Sequence, residues 1–173
     1  MNIAEFNQLS HDDAATKLNY CCHSHNWVNT MLAARPFANK EAVIEEHHRI
    51  WPTLSNEDYL EAYLAHPMIG DIDSLREKYN ATKGLSTKEQ SGVSAASEQT
   101  LQQLAQLNAD YRDQFGFIFI ICATCKSADE MLSALKARIN NDRDAEIANA
   151  AKEQEKITEI RLNQLFEDEQ WAK

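Results

Sequence analysis

Three polar side chains of this 173-residue sequence occupy positions where their chemistry would be unusual: His66, Glu89 and Arg161. His66 directly precedes Pro67. A residue before proline is steered out of the α region, so His66 should leave its helix just as that helix stops. An imidazole projecting from a rigid helix end can give and take protons near neutral pH. The commoner use of such a histidine is to cap the negative end of the helix dipole, and both uses are open from the local sequence. Glu89 follows Ser86 by three residues and completes a capping box. The stretch Ser86-Thr87-Lys88-Glu89-Gln90 also gathers amide donors and a carboxylate at the positive end of a helix, a favourable place for an anionic or urea-like ligand. Arg161 lies four residues from both Ile157 and Leu165 and should share their face. A guanidinium there must snorkel, pair with an internal acid, or bind an anionic ligand such as a small carboxylate.

Metal and thiol chemistry have weaker support. Cys21-Cys22-His23-Ser24-His25 and Cys122-Ala-Thr-Cys125 supply enough ligands for zinc, but neither run has zinc-finger spacing. Cys122 and Cys125 close an apolar stretch where small buried thiols are common, and a thioredoxin-like pair would need a βαβ context. The expectation is four reduced thiols and no metal or cofactor. His47-His48, inside Glu45-Glu46-His47-His48-Arg49, reads as a solvated helix face.

The elements that position these residues should be helices. The sequence has 4 Gly and 3 Pro and no Asn-Gly or Asp-Gly pair, too few turns for a sandwich or barrel. Ser10, Ser55, Ser86 and Ser127 each open a run with acidic residues in its first turn. Apolar residues then recur at helical spacing: Leu60, Tyr63 and Leu64; Leu101, Leu104, Leu107 or Asn108, and Tyr111; Met131, Leu132, Leu135 and Ile139. The reading is all-α, one domain over residues 1–173, with roughly seven to nine helices. The segment Phe115–Ala123 is apolar on every side and reads as a central buried helix starting irregularly at Gly116; residues 70–86 read as a long loop.

A formal net charge of -10 argues against a nucleic-acid partner, because neutralising phosphates takes a surplus of Lys and Arg. The N-terminal residues lack the basic and apolar regions of a secretory signal, and no apolar run is long enough to span a bilayer. The expected location is the cytoplasm, without a membrane partner.

Taken in order, His66-Pro67-Met68-Ile69-Gly70, Ser86-Thr87-Lys88-Glu89-Gln90-Ser91-Gly92, Phe115-Gly116-Phe117-Ile118-Phe119-Ile120, and Lys156-Ile157 with Arg161-Leu162 resemble the motifs of the OHCU decarboxylases. Phe6-Asn7-Gln8-Leu9 and Arg35-Pro36-Phe37 extend the resemblance over residues 6–166; Met68 stands where the family commonly has a polar residue. The resemblance implies an all-α, cofactor-free carboxy-lyase, often dimeric. Its substrate would be a ureidoimidazoline carboxylate, 2-oxo-4-hydroxy-4-carboxy-5-ureidoimidazoline, converted to (S)-allantoin in the last step of urate degradation. It further implies His66 and Glu89 as catalytic residues. Substrate contacts would come from Pro67, Ser86, Thr87, Lys88, Glu89, Gln90, Arg161 and the run Phe119, Ile120, Ile121, Cys122 and Ala123. The competing reading is an acidic, non-catalytic helical interaction module, with His66 a cap and Arg161 half of a structural ion pair.

Overall fold

The structure is a computed structural model and describes residues 1–66, 98–124 and 126–166. Among them are eight α-helices and no strand: α1 (Ile3–Gln8), α2 (His11–Cys21), α3 (His25–Ala33), α4 (Lys40–Ile50), α5 (Asn56–Leu64), α6 (Glu98–Phe115), α7 (Ala128–Arg138) and α8 (Arg143–Leu165). A single 3-10 turn, Trp51–Thr53, follows α4. None of these helices is long and apolar enough to cross a membrane. The chain divides into two units, Met1–His66 with Ala151–Lys173, and Pro67–Ala150.

In the first unit every helix start is satisfied by a side chain. Asn2 and Ser55 form reciprocal capping boxes with Glu5 and Asp58, and Ser10, Ser24 and Asn39 cap α2, α3 and α4. The core is aromatic and aliphatic: Phe6, Leu18, Trp27, Met31, Ile50, Tyr63 and Leu162 are almost entirely enclosed. Phe6 meets Phe166 edge-on at 5.1 Å, and the Arg35 guanidinium lies over Phe6 while donating to the carbonyls of Asn7 and Leu9. The C-terminal part of α8 buries Ala151, Gln154, Thr158 and Leu162, one stripe at spacings of three and four.

Three sequence expectations change here. Leu64 is 81% exposed, and α5 buries Ala62 and Tyr63 instead. His47 is fully buried rather than solvated, because Trp27 Nε1 donates to its Nδ1 at 3.2 Å and its Nε2 donates to the Glu155 carbonyl at 3.3 Å. Ile157 and Leu165 are only half-buried, so Arg161 borders the Gln154–Thr158–Leu162 stripe, one turn beyond Thr158.

In the second unit α6 packs against α7, with Leu101, Leu104 and Tyr111 on one side and Met131, Leu132 and Leu135 on the other. The buried polar position of α6 is Asn108, whose amide donates back to the Leu104 carbonyl at 2.8 Å. The expected helix over Phe115–Ala123 does not form. Gly116 takes φ +78, the left-handed conformation that closes a helix, and its N–H returns to the Arg112 carbonyl at 2.8 Å. From there the chain is neither helix nor strand, and alternate residues Phe115, Phe117 and Phe119 turn inward around Tyr111. Period-two burial is the signature of extended chain, which an all-apolar run does not reveal in sequence.

A polar network holds that segment. Glu146 is completely buried and accepts from Tyr111 Oη (2.5 Å), Arg138 Nε (2.9 Å), Asn141 (2.7 Å) and Asn149 (2.9 Å). Burial alone would raise this carboxyl, but the bonds from Arg138, Tyr111, Asn141 and Asn149 outweigh it and hold it below the usual carboxylate range. Arg138 then uses Nη1 on the Ile120 carbonyl at 2.9 Å and lies 4.6 Å over the Phe119 ring.

Candidate functional site

Within the first unit, α5 and α8 bring together two of the residues singled out in sequence, His66 and Arg161. The Ser55–Asp58 box starts α5, which ends at Leu64; Ala65 is still helical and the His66 N–H bonds the Tyr63 carbonyl at 3.2 Å. His66 thus occupies the helix exit that its place before Pro67 predicts. Its ring is partly buried, and Nε2 is fully enclosed without a hydrogen-bond partner among the described residues. Burial first, and the positive Arg161 second, push the imidazole below its ordinary value, while Gln154 partly opposes them. His66 is therefore neutral at pH 7.

Arg161 is fixed at the C-terminal end of α2. Its Nη1 donates to the carbonyls of Cys21 at 3.2 Å and Tyr20 at 3.4 Å, acceptors that a helix end leaves unsatisfied. Among the described residues it makes no ion pair, so the internal acid of the competing reading is not found there. Glu61, a described acid that like Arg161 acts on Cys22, is committed to the backbone N–H and ring of His25. Burial would raise Glu61, yet those His25 contacts leave it below the usual range. A guanidinium that no described carboxylate engages, placed to act on a neutral imidazole, can bind an anion while the imidazole moves a proton.

Between these residues and the core runs a polar seam. Gln154 Nε2 lies 3.2 Å from Thr158 Oγ1, Thr158 bonds the Cys22 thiol, and Gln154, Thr158 and Cys22 are all completely buried. Burial pushes both the Cys21 and Cys22 thiols up to about 12, against the pull of Arg161, so they remain thiols. Gln154 and Thr158 were missed in the sequence. The signal was present: both are polar at buried-register positions of α8, between Ala151 and Leu162.

Pro67, Ser86, Thr87, Lys88, Glu89 and Gln90, and the capping box expected at Ser86, lie outside the described residues, as does Cys125. Phe119, Ile120, Ile121, Cys122 and Ala123 fall in the second unit, where Phe119, Ile120 and Cys122 are buried and Ile121 and Ala123 half-buried. Cys21 and Cys22 are free thiols. Among the described residues the gathering of possible metal ligands is His47, His48 and Glu155, not the Cys21–His25 run. Both nitrogens of His47 are already engaged by Trp27 and the Glu155 carbonyl, which leaves it no lone pair for a cation.

A sequence profile of the OHCU decarboxylase family matches residues 7–163. The uric acid degradation bifunctional protein TTL of Arabidopsis thaliana is 36% identical over 148 residues, covering 86% of this chain and 46% of that protein. The 2-oxo-4-hydroxy-4-carboxy-5-ureidoimidazoline decarboxylase of Amia calva is 31% identical over 139 residues, 78% of this chain and 77% of its own length. A crystal structure of an OHCU decarboxylase in the presence of (S)-allantoin superposes with a TM-score of 0.70 at 38% identity, over 87% of this chain and 96% of that one. The chain spans less than half the length of the bifunctional relatives it matches, 46% of the Arabidopsis protein and 33% of one from Bacillus sp. (strain TB-90).

Proposed function

The chain belongs to the OHCU decarboxylase family, and from that premise we propose that it decarboxylates 2-oxo-4-hydroxy-4-carboxy-5-ureidoimidazoline to (S)-allantoin. The observation that carries the reading is the pairing of a neutral, partly buried His66 with an Arg161 that no described carboxylate engages. Both are residues the family motifs mark, and the named relatives and the structure obtained in the presence of (S)-allantoin support the same chemistry.

The substrate carries its carboxylate and a hydroxyl on C4, next to a C5=N imine. When the C4–carboxylate bond breaks, its electron pair flows into the imine, so the substrate is its own electron sink. The protein has to place charge and direct one proton. Neutral His66 takes the C4 hydroxyl proton, that oxygen becomes the carbonyl of allantoin, the same proton goes to one face of C5, and the former imine nitrogen takes a second proton from water as CO2 leaves. Delivery to one face sets the S configuration. Arg161 anchors an anionic or carbonyl oxygen of the substrate. Glu89 as the group that orients His66 or the hydroxyl, Gln90 and Ser86 as partners of ring or ureido amides, and Pro67 and Phe119–Ala123 as lining rest on the family motifs. A homodimer and a cytoplasmic location belong to the same reading.

The test is to generate the substrate enzymatically from urate and follow the optical activity of allantoin with and without the protein. Spontaneous decay gives racemate, so rapid formation of a single S enantiomer is the expected result. Racemic allantoin at the uncatalysed rate overturns the assignment.

A further inference from the structure

Gln154 is completely buried on α8, and its Oε1 has no hydrogen-bond partner among the described residues. His66 Nε2 is the other buried side-chain atom in that condition among the described residues, and it lies within the influence of the same amide. An unsatisfied buried acceptor and an unsatisfied buried ring nitrogen are each costly alone. They cancel if they pair. The amide end is already oriented for it: Gln154 Nε2 is spent on Thr158 Oγ1 at 3.2 Å, and Thr158 is itself held by the Cys22 thiol. With the NH2 directed at Thr158, Oε1 is left for the imidazole.

We propose that Gln154 is a positioning residue for His66: its Oε1 accepts a hydrogen bond from Nε2–H, fixes the neutral ring in the Nε2–H tautomer, and leaves the Nδ1 lone pair to move the substrate's proton. The proposal rests on the functional reading above and adds to it a residue that acts only through His66. A free imidazole distributes its proton between the two nitrogens; a buried acceptor on one side removes that choice, as the carboxylate does in hydrolase triads. The charged group facing His66 among the described residues is Arg161 on α8. Arg161 disfavours the imidazolium without selecting a nitrogen, so tautomer selection falls to the amide.

The experiment compares wild type with Gln154→Met, which keeps the volume but has no acceptor, and with Gln154→Glu, which keeps the shape and adds charge. Histidine 15N shifts of the ligand-free protein report the tautomer, and allantoin formation over a pH series reports catalysis. The expected wild-type ring is Nε2–H above its midpoint. Gln154→Met should lose that preference, titrate at lower pH, and lower kcat by about 10-fold or more with KM changed less than about 2-fold. Gln154→Glu should restore Nε2–H, with the midpoint and the acid limb of the rate moved to higher pH. An unchanged 15N signature in Gln154→Met, or an altered signature with a wild-type pH profile, overturns the proposal. If wild type gives only racemic allantoin, the functional reading fails; the 15N comparison on ligand-free protein still decides whether Gln154 orients His66.

Discussion

Arg161 donates to the Cys21 carbonyl at 3.2 Å and so closes the C-terminus of α2 from a neighbouring helix. Its second acceptor is the Tyr20 carbonyl, and no described carboxylate would be stranded by its removal. Arg161→Met should therefore lose only backbone hydrogen bonds, about 1 kcal/mol, against the 3–5 kcal/mol expected for breaking a buried ion pair. Removing the positive charge should also raise the His66 midpoint. Arg161→Lys keeps the charge without the planar fork and should lower kcat/KM by about 10-fold or more. Thermal denaturation together with single-turnover assays separates the cases: a strongly destabilised Arg161→Met protein with full specific activity would place Arg161 in the scaffold.

His66→Asn should fold normally, since only the backbone N–H of His66 contributes to the end of α5, through the Tyr63 carbonyl. The rate of (S)-allantoin formation should fall by about 10²–10⁴-fold, the usual contribution of a general acid/base. In wild type the acid limb of kcat/KM should lie below the ordinary histidine value of 6.5, because burial and Arg161 both depress the group. Wild-type turnover in His66→Asn, read by polarimetry, would remove His66 from the chemistry.

Arg138→Met strips the fully buried Glu146 of its cationic partner and frees the Ile120 carbonyl. The loss should be about 3–5 kcal/mol of stability, measured by urea unfolding. Replacing both partners by apolar residues of similar volume should cost markedly less, since no buried charge is then left alone. Equal losses in the single and double variants would show that the ion pair itself contributes nothing.

His47 is fully buried and its imidazole is pushed down to about 4, first by burial and also by neighbouring His48, against the bond to the Glu155 carbonyl. The unfolded chain takes up this proton near 6.5, whereas the folded chain resists until about 4. The associated stability is present in full above pH 6.5 and is lost progressively down to pH 4. Between pH 7 and 5 the loss from this residue should approach about 2 kcal/mol, at 1.36 kcal/mol per unit. His47→Gln should flatten that interval in a pH series of denaturant midpoints; an unchanged slope assigns the sensitivity elsewhere.

The helical architecture was readable because its signals are local. Ser10, Ser55 and Ser127 cap the helices they announce, and the spacing of Met131, Leu132 and Leu135 matches their burial. Phe115–Ala123 was misread because an apolar run has no polar face to set its period, and the deciding residue, Gly116, acts through its φ of +78. His66 could be placed at a helix exit from Pro67 alone, and its role came from the ordered family motifs. Arg161 was read against the wrong neighbours: Ile157 and Leu165 are half-buried, whereas the buried register runs through Gln154 and Thr158. His47 looked solvated in Glu45–Arg49 because nothing nearby in sequence announces Trp27, which neutralises its polarity from another helix. Long-range partners of this kind are invisible to spacing rules.

The enclosed pair Cys21 and Cys22 makes the end of α2 its own timekeeper. Both are 0% exposed and remain protonated, so an alkylating reagent cannot reach a thiolate until α2 lets go of the carbonyls that seat Arg161. Their labelling rate, read at peptide level by mass spectrometry, therefore measures how often the arginine's berth opens. A ligand that engages Arg161 should slow that labelling in proportion to its occupancy, giving a binding assay that needs neither turnover nor a chromophore.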